Sequence, residues 1–198
     1  MRALSWTTIE TPAGPLSAGC TEAGLAAVRF GSPPSPAPGR RPAAPGGDPP
    51  APAPGGSRGG PAGRQDQILA STCAQLAEYF AGHRRAFELT IDWAGVSRLQ
   101  HQVLSVLFDS VRYGETVSYG ELARRAGAAA ATELPARAIG QIMGANPVPV
   151  IVPCHRVVAA NGLGGFSGGI GPELKRWLLI FEGALPPTLD WSPAGLPG

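Results

Sequence analysis

The spacing of apolar and polar positions changes twice along the chain. Residues 4–30 alternate around turn signals: Pro-Ala-Gly-Pro separates two strand-like runs in LSWTTIETPAGPLSAGC, and GLAAVRF supplies a third, so three short strands are expected. A meander of that size is not stable alone. Its partner is the run QILASTCAQLAEYFAG, in which Ile68, Leu69, Cys73, Leu76, Tyr79 and Phe80 recur with helical period and Gly82 marks the stop. FELTID then alternates as one more strand, which completes a small α/β unit.

Beyond residue 97 the period is helical. Leu99, Val103, Leu104, Val106, Leu107 and Phe108 predict a helix ending before Tyr113-Gly114. Ser118 is placed to cap a second helix, with Glu121 completing a capping box and Gly127 closing it. An Ala-rich connector at 128–134 leads to Pro135, a residue suited to the first turn of a third helix, ARAIGQIMG. One longer helix followed by two short ones resembles a helix-turn-helix, although the connector is longer than usual. The pattern fits DNA binding or an ordinary helical core. LKRWLLIFEG predicts a terminal helix, with Glu182 near its end.

Composition alters this picture in one place. The 198 residues include 28 Gly and 22 Pro, and 11 Pro and 9 Gly fall within residues 31–64. That stretch has too few large apolar side chains to offset the entropy of ordering it. It predicts a disordered Pro/Gly insertion looped out of an amino-terminal domain of residues 1–97, followed by a domain of residues 98–185 and a flexible tail at 186–198.

Net charge is less informative. The insertion holds four Arg and one Asp, so the chain's +2 reduces to −1 outside it. Only residues 98–176, with eight basic and five acidic side chains, are locally basic. Three Cys, at 20, 73 and 154, are too sparse for a disulfide framework, and neither a signal peptide nor an 18-residue apolar run is present. Free thiols in a reducing compartment, with no membrane association, are therefore expected.

The chemistry concentrates in PVPVIVPCHRVV, where an apolar run is interrupted by Pro153 and followed by Cys154, His155 and Arg156. A Cys beside two potentially cationic side chains is in the kind of setting that can lower a thiol pKa and supply thiolate at neutral pH, although adjacency does not guarantee a Cys-His contact. The residues alone leave three readings: a nucleophile, an inert buried Cys beside a structural His, or a metal ligand, the last disfavoured because no compact second ligand pair is present. NGLGGFSGG, with five Gly in nine residues, lets a loop approach a flat ligand closely. Glu182 lies where a helix dipole favours a base, so it is either solvated or paired with a group such as His155.

TPAGPL, QLAEYFAG, VRYGETVSYGELA, ARAIG, NPVPVIVPCHRVV, GGFSGG and KRWLLIFEG together resemble the methylated-DNA–protein-cysteine methyltransferases, the O6-alkylguanine-DNA alkyltransferases. The PCHRV core, with Asn-Pro upstream and Ser-Gly-Gly downstream, is the most specific of these pieces. The resemblance implies an α/β fold class: a small RNase H-like amino-terminal domain plus a mostly helical carboxy-terminal domain with a helix-turn-helix. The implied partner is double-stranded DNA containing O6-alkylguanine.

In the activity it implies, Cys154 takes a methyl or other alkyl group from O6 of a flipped-out guanine, less efficiently from O4 of thymine, in a single irreversible turnover. No metal or organic cofactor is implied. His155 resembles the group that takes the thiol proton through water, Glu182 the carboxylate behind it, and Asn146 the residue tying the recognition helix to the active-site turn. Arg137 resembles an arginine finger filling the vacated base stack. Tyr119 resembles the tyrosine that crowds the target phosphate and donates to the base's N3. Small residues at Ala138 and Gly140 suit close approach to the minor groove. The carbonyls of Cys154 and Val157 are similar to those receiving the guanine amino group, and the Ser167 amide to the one meeting O6.

Phe166 departs from the Tyr of many relatives, keeping the pocket wall but losing a hydroxyl, and AAAATELP lengthens the connector before the recognition helix. The zinc site of animal relatives has only Cys20 at a matching position, with Cys73 and His83 a weak substitute, so no metal is expected. A monomer is expected, in the nucleus if the source is eukaryotic and otherwise in a bacterial cytoplasm. Two rivals stand beside transfer: a lesion-binding protein without transfer, and a helix-turn-helix regulator that leaves PCHRV unexplained.

Overall fold

A computed structural model of the protein describes residues 4–33, 63–128, 135–160, 162–164 and 171–188. The expected insertion at 31–64 and tail at 186–198 lie mostly outside these residues.

Three antiparallel strands, β1 (Ser5–Ile9), β2 (Leu16–Thr21) and β3 (Gly24–Phe30), form a meander in the order β1-β2-β3. Ser5 pairs with Cys20 and Ile9 with Leu16, while β3 returns along β2 with an irregularity at Gly19/Cys20. Every residue of β2 is buried, because β1 and β3 flank it and helix α1 (Arg64–Phe80) packs against the sheet. Leu69, Leu76 and Phe80 of α1 join Leu16, Ala18 and Leu25 of the sheet in the core. Full burial of a Leu contributes about 1.5–3 kcal/mol, so this small unit depends on α1 for its stability. The helix stops as its composition predicts, with Ala81 as C-cap and Gly82 at φ +78°.

The expected strand at FELTID is not formed. Only Ile91 makes a bridge, parallel to Leu25 of β3. The preceding backbone is satisfied by a side chain instead: Gln75 of α1 donates from Nε2 to the Glu88 carbonyl (3.1 Å) and accepts from the Glu88 N–H (2.8 Å). After the bridge, Asp92 caps a 3₁₀ turn at Trp93–Gly95 and ends the extended run. The bridge requires a glycine opposite it, since a Cβ on Gly24 (φ +155°) would lie 2.5 Å from the Thr90 carbonyl oxygen.

Helix α2 (Arg98–Ser110) starts at the Ser97 cap and buries Val103, Leu104 and Leu107. The two short helices follow: α3 (Tyr119–Arg125), capped by the Ser118 hydroxyl on the Glu121 N–H at 3.1 Å, and α4 (Pro135–Gly144). Glu121 also forms ion pairs with Arg124 and Arg125. Most of the connector between α3 and α4 is outside the described residues. Helix α5 (Pro172–Phe181) buries six of its ten residues. Its Phe181 ring meets Tyr79 and Phe80 of α1, with centroids 5.6 and 6.1 Å away, which joins the two parts of the chain.

Two further contacts fix the segment between α4 and α5. The Val28 N–H on the open edge of β3 donates to the Pro147 carbonyl (2.8 Å). Strand β4 (Val117–Ser118) pairs in parallel with β5 (Val157–Val158), Val117 opposite Val157. The residues between Pro147 and Val157 are therefore anchored at one end to the sheet and at the other to the start of α3. Among the described residues no helix is long and apolar enough to cross a membrane.

Candidate active site

The anchored segment is irregular because its sequence permits neither helix nor strand: Pro147, Pro149 and Pro153 lack donors. Val150 is forced to φ +72°, an uncommon conformation for a β-branched residue. Asn146, at the end of α4, spans the bend. Its Nδ2 donates to the Val152 carbonyl (2.8 Å) and its Oδ1 accepts from the Val148 N–H (3.1 Å). The same side chain works to lower the Cys154 thiol pKa. Asn146 thus couples α4 to the 3₁₀ turn at Cys154–Arg156.

All three residues of that turn are buried, Cys154 at 2% exposure and His155 at 1%. The thiol does not behave as its neighbours in sequence suggest. Burial raises it to about 11, and the opposing influence of Asn146, Lys175 and the nearby backbone amides does not restore it. Adjacency to His155 and Arg156 therefore does not lower the thiol pKa in this fold. The guanidinium of Arg156 is engaged elsewhere, donating to Glu182 and, from Nη1, to the Val111 carbonyl (2.8 Å). The resting group is a neutral thiol near pH 7, so transfer needs a group that takes its proton.

Glu182, the C-cap of α5, is buried rather than solvated. Its Oε2 accepts from Arg156 Nε (2.8 Å). Its Oε1 accepts from Arg156 Nη2 (2.9 Å), from His155 Nε2 (2.9 Å) and from the Tyr79 hydroxyl (2.6 Å). Burial opposes its charge, but His155 and Arg156 prevail and hold it well below the usual carboxylate range. Burial also lowers the His155 pKa, against the pull of Glu182, so the ring is neutral near pH 7.

These facts assign the tautomer. An ionised carboxylate only accepts, so Nε2 carries the proton and Nδ1 carries a lone pair. Nδ1 is buried and makes no hydrogen bond among the described residues. Next to the thiol, the turn therefore presents a neutral imidazole whose free nitrogen can take a proton and whose other nitrogen rests on a carboxylate.

Tyr119, the first residue of α3, is brought to the same place by the β4–β5 pairing. Its ring packs against the glycine-rich loop and α4. A Cβ on Gly164 (φ +74°) would lie 2.9 Å from the ring, and one on Gly140 would lie 4.0 Å from it. Burial, and then Cys154, raise the Tyr119 pKa, so the phenol keeps its proton. Arg137 is exposed on the first turn of α4 and Ala138 is half-buried, while Ile139 and Met143 face the core. Val157 is buried in β5, and its carbonyl accepts from Lys175 Nζ (2.7 Å). Phe166 and Ser167 lie outside the described residues.

Lys175 and Tyr79 carry structural roles that the sequence reading did not assign. Lys175 is fully buried. It joins Val157 to the Leu163 carbonyl (2.6 Å) and lies 5.7 Å from the centre of the Tyr119 ring. Burial lowers its pKa to about 8, against the pull of Cys154. A signal was present: Lys175, Leu178, Leu179 and Glu182 share one helical face, so a cation and an anion occupy an apolar stripe. The helical period places Tyr79 on the core face of α1 and says nothing of its hydroxyl. Cys20 sits in β2 with its thiol on the Gln65 carbonyl (3.5 Å), and Cys73 is half-buried in α1. Among the described residues no three His, Cys, Asp or Glu side chains are grouped to hold a metal ion.

Residues 98–184 match the family described as 6-O-methylguanine DNA methyltransferase, DNA binding domain, and residues 4–93 match its ribonuclease-like domain. A curated relative, the methylated-DNA–protein-cysteine methyltransferase of Rattus norvegicus, is 35% identical over 98% of this chain and 88% of its own length. The enzyme of the same name from Mycobacterium bovis is 44% identical over 58% of this chain, and the one from Mycolicibacterium paratuberculosis 43% over 57%. The matched stretches span 65% and 64% of those two proteins.

The fold is similar to that of a Mycobacterium tuberculosis O6-methylguanine methyltransferase, with a TM-score of 0.65, 32% identity and coverage of 94% of this chain and 98% of that one. It is equally similar to the structure of Mycobacterium tuberculosis OGT in complex with DNA, with a TM-score of 0.65, 33% identity and coverage of 89% and 91%. The expected combination of a ribonuclease-like amino-terminal part and a helical carboxy-terminal part therefore holds.

Proposed function

The chain belongs to the 6-O-methylguanine DNA methyltransferase family, and on that premise we propose that it repairs duplex DNA by moving an alkyl group from O6 of guanine to Cys154, once per molecule and as a monomer. The observation that carries this reading is the ordered set of a buried thiol, a neutral imidazole with an unpartnered Nδ1, and a carboxylate on Nε2. An inert Cys needs no such base beside it, and a protein that only binds lesions needs no nucleophile.

In the proposed transfer, the thiol proton passes through water to His155 Nδ1 as sulfur attacks the alkyl carbon. The S–C bond forms and the C–O6 bond breaks. Charge developing on the base is neutralised by a proton donated from Tyr119 to N3, and the proton held by His155 restores the phenol. Glu182 stabilises the imidazolium while it exists. The product thioether has no easy hydrolytic exit, which limits the protein to one turnover.

Asn146 holds the turn against α4, the helix that enters the minor groove. Arg137, exposed at the start of α4, fills the gap left by the flipped base, and Ala138 and Gly140 permit close approach. The carbonyls of Cys154 and Val157 receive the guanine amino group, a role that rests on the family resemblance. Phe166 and Ser167, outside the described residues, are assigned to the substrate by family resemblance alone.

The test is the intact mass of the protein after mixing with duplex DNA bearing O6-methylguanine. A gain of one CH2 confined to the Cys154 peptide is expected, and Cys154→Ser should bind the same duplex without any gain. Stoichiometric binding by the wild-type protein with no gain would refute transfer.

A further inference from the structure

Tyr79 lies far from the reacting turn in sequence, on the helix of the amino-terminal part, yet its hydroxyl makes one of the shortest hydrogen bonds in the site, 2.6 Å to Glu182 Oε1. That oxygen is the one on which His155 Nε2 rests. We infer that Tyr79 is a positioning residue for the transfer: its hydroxyl sets how strongly Glu182 pulls on His155, and so the pH below which the relay stops.

The argument follows from how one oxygen divides its charge. Oε1 accepts three hydrogen bonds, from Tyr79, His155 and Arg156, all from buried donors. Charge-assisted hydrogen bonds in a water-poor site are strong, and donors on one acceptor compete. A hydroxyl at 2.6 Å withdraws charge that Nε2–H would otherwise meet, which keeps the imidazole less basic. Tyr79 cannot reverse the effect by ionising, because burial and then Glu182 hold its proton in place. Its ring is held among Phe80, Phe87, Tyr113 and Phe181, so the hydroxyl has a fixed direction.

The other charged or titratable groups around His155 are accounted for. Arg156 and Lys175 lower its pKa along with burial, and Glu182 raises it. Cys154 is neutral at rest. Tyr113 reaches the network only indirectly, with its hydroxyl on the Phe181 carbonyl (3.2 Å) and its ring beneath the guanidinium groups of Arg85 and Arg156. Of the two tyrosines, only Tyr79 bonds to the carboxylate.

The inference rests on the proposed transfer, and one experiment separates the two. Single-turnover methyl transfer from saturating O6-methylguanine duplex is measured against pH for the wild-type protein, Tyr79→Phe and Tyr113→Phe. His155 must be neutral to accept the thiol proton, so each rate falls on the acid side of its pKa. Removing the Tyr79 hydroxyl returns charge to His155, raises its pKa, and should move the acid limb up by about one pH unit. The Tyr79→Phe rate then drops several-fold below wild type across the wild-type acid limb and matches wild type on the alkaline side of it. Tyr113→Phe leaves the limb in place.

Absence of transfer by the wild-type protein refutes the proposed function. Transfer with a Tyr79→Phe limb that is unmoved, moved down, or merely scaled down at every pH refutes the role of Tyr79. If Tyr79→Phe does not fold, the wild-type protein labelled with ¹³C at tyrosine Cζ decides: the Tyr79 signal should shift through the His155 titration, and a static signal overturns the inference.

Discussion

The three-stranded sheet and the Cys154–Arg156 turn satisfy their polar groups in opposite ways. In the sheet, β1, β2 and β3 pair with neighbours in sequence, and the buried side chains are mostly apolar. In the turn, the backbone is irregular and the buried groups include a thiol, an imidazole and a guanidinium. The groups that hold them arrive from afar: Glu182 from α5 meets His155 and Arg156 and is itself met by Tyr79 from α1, while Asn146, just after α4, and Lys175 of α5 bind carbonyls on either side of the turn. A local pattern suffices to build a sheet. A buried set of charges needs the whole fold, because each group left unpaired costs far more than a lost apolar contact.

This contrast predicts unequal damage. Glu182→Gln should have the largest effect, since it leaves Arg156 buried without its counter-charge and His155 without its carboxylate. A stability loss of about 3–5 kcal/mol is expected in denaturant titration, together with a transfer rate lower by about 10²-fold or more in whatever fraction remains folded. Near-normal stability with slow transfer would show that the carboxylate is not needed to hold the turn together. Gly24→Ala should do less, and of another kind. Its Cβ meets the Thr90 carbonyl, so the bridge at Ile91 must shift at a cost of about 1–3 kcal/mol. Transfer by the folded protein should stay within about twofold of wild type. A larger loss would mean that strain in the sheet is transmitted to the turn, and the two regions would not be separable.

The same contrast explains what the sequence reveals. The meander at residues 4–30 and helix α1 follow from period and turn residues alone, because their partners are near in sequence. FELTID alternates like a strand but is not one: Gln75 replaces a neighbouring strand at Glu88, and no local pattern announces a side chain in that role. Cys154, His155 and Glu182 are legible through their motif and through the oddity of an acid at a helix end. The state of the thiol is not, since adjacency to His155 and Arg156 suggests a lowered pKa whereas Arg156 turns to Glu182 and burial decides. Tyr79 is invisible because its phenyl ring fits the apolar stripe and only its oxygen carries the information.

In the proposed transfer Cys154 rests as a thiol and loses its proton to His155 within the reaction. The most direct test is the alkaline side of the wild-type single-turnover transfer rate, measured from about pH 7 to about pH 9 on saturating methylated duplex, below the thiol's own titration near pH ~11. His155 is already neutral across that range, and Lys175 loses near pH ~8 a charge that favours the thiolate, so a rate that does not rise with pH is expected. A rate that climbs about tenfold per pH unit would mean that sulfur reacts only after losing its proton to solvent, and would contradict it.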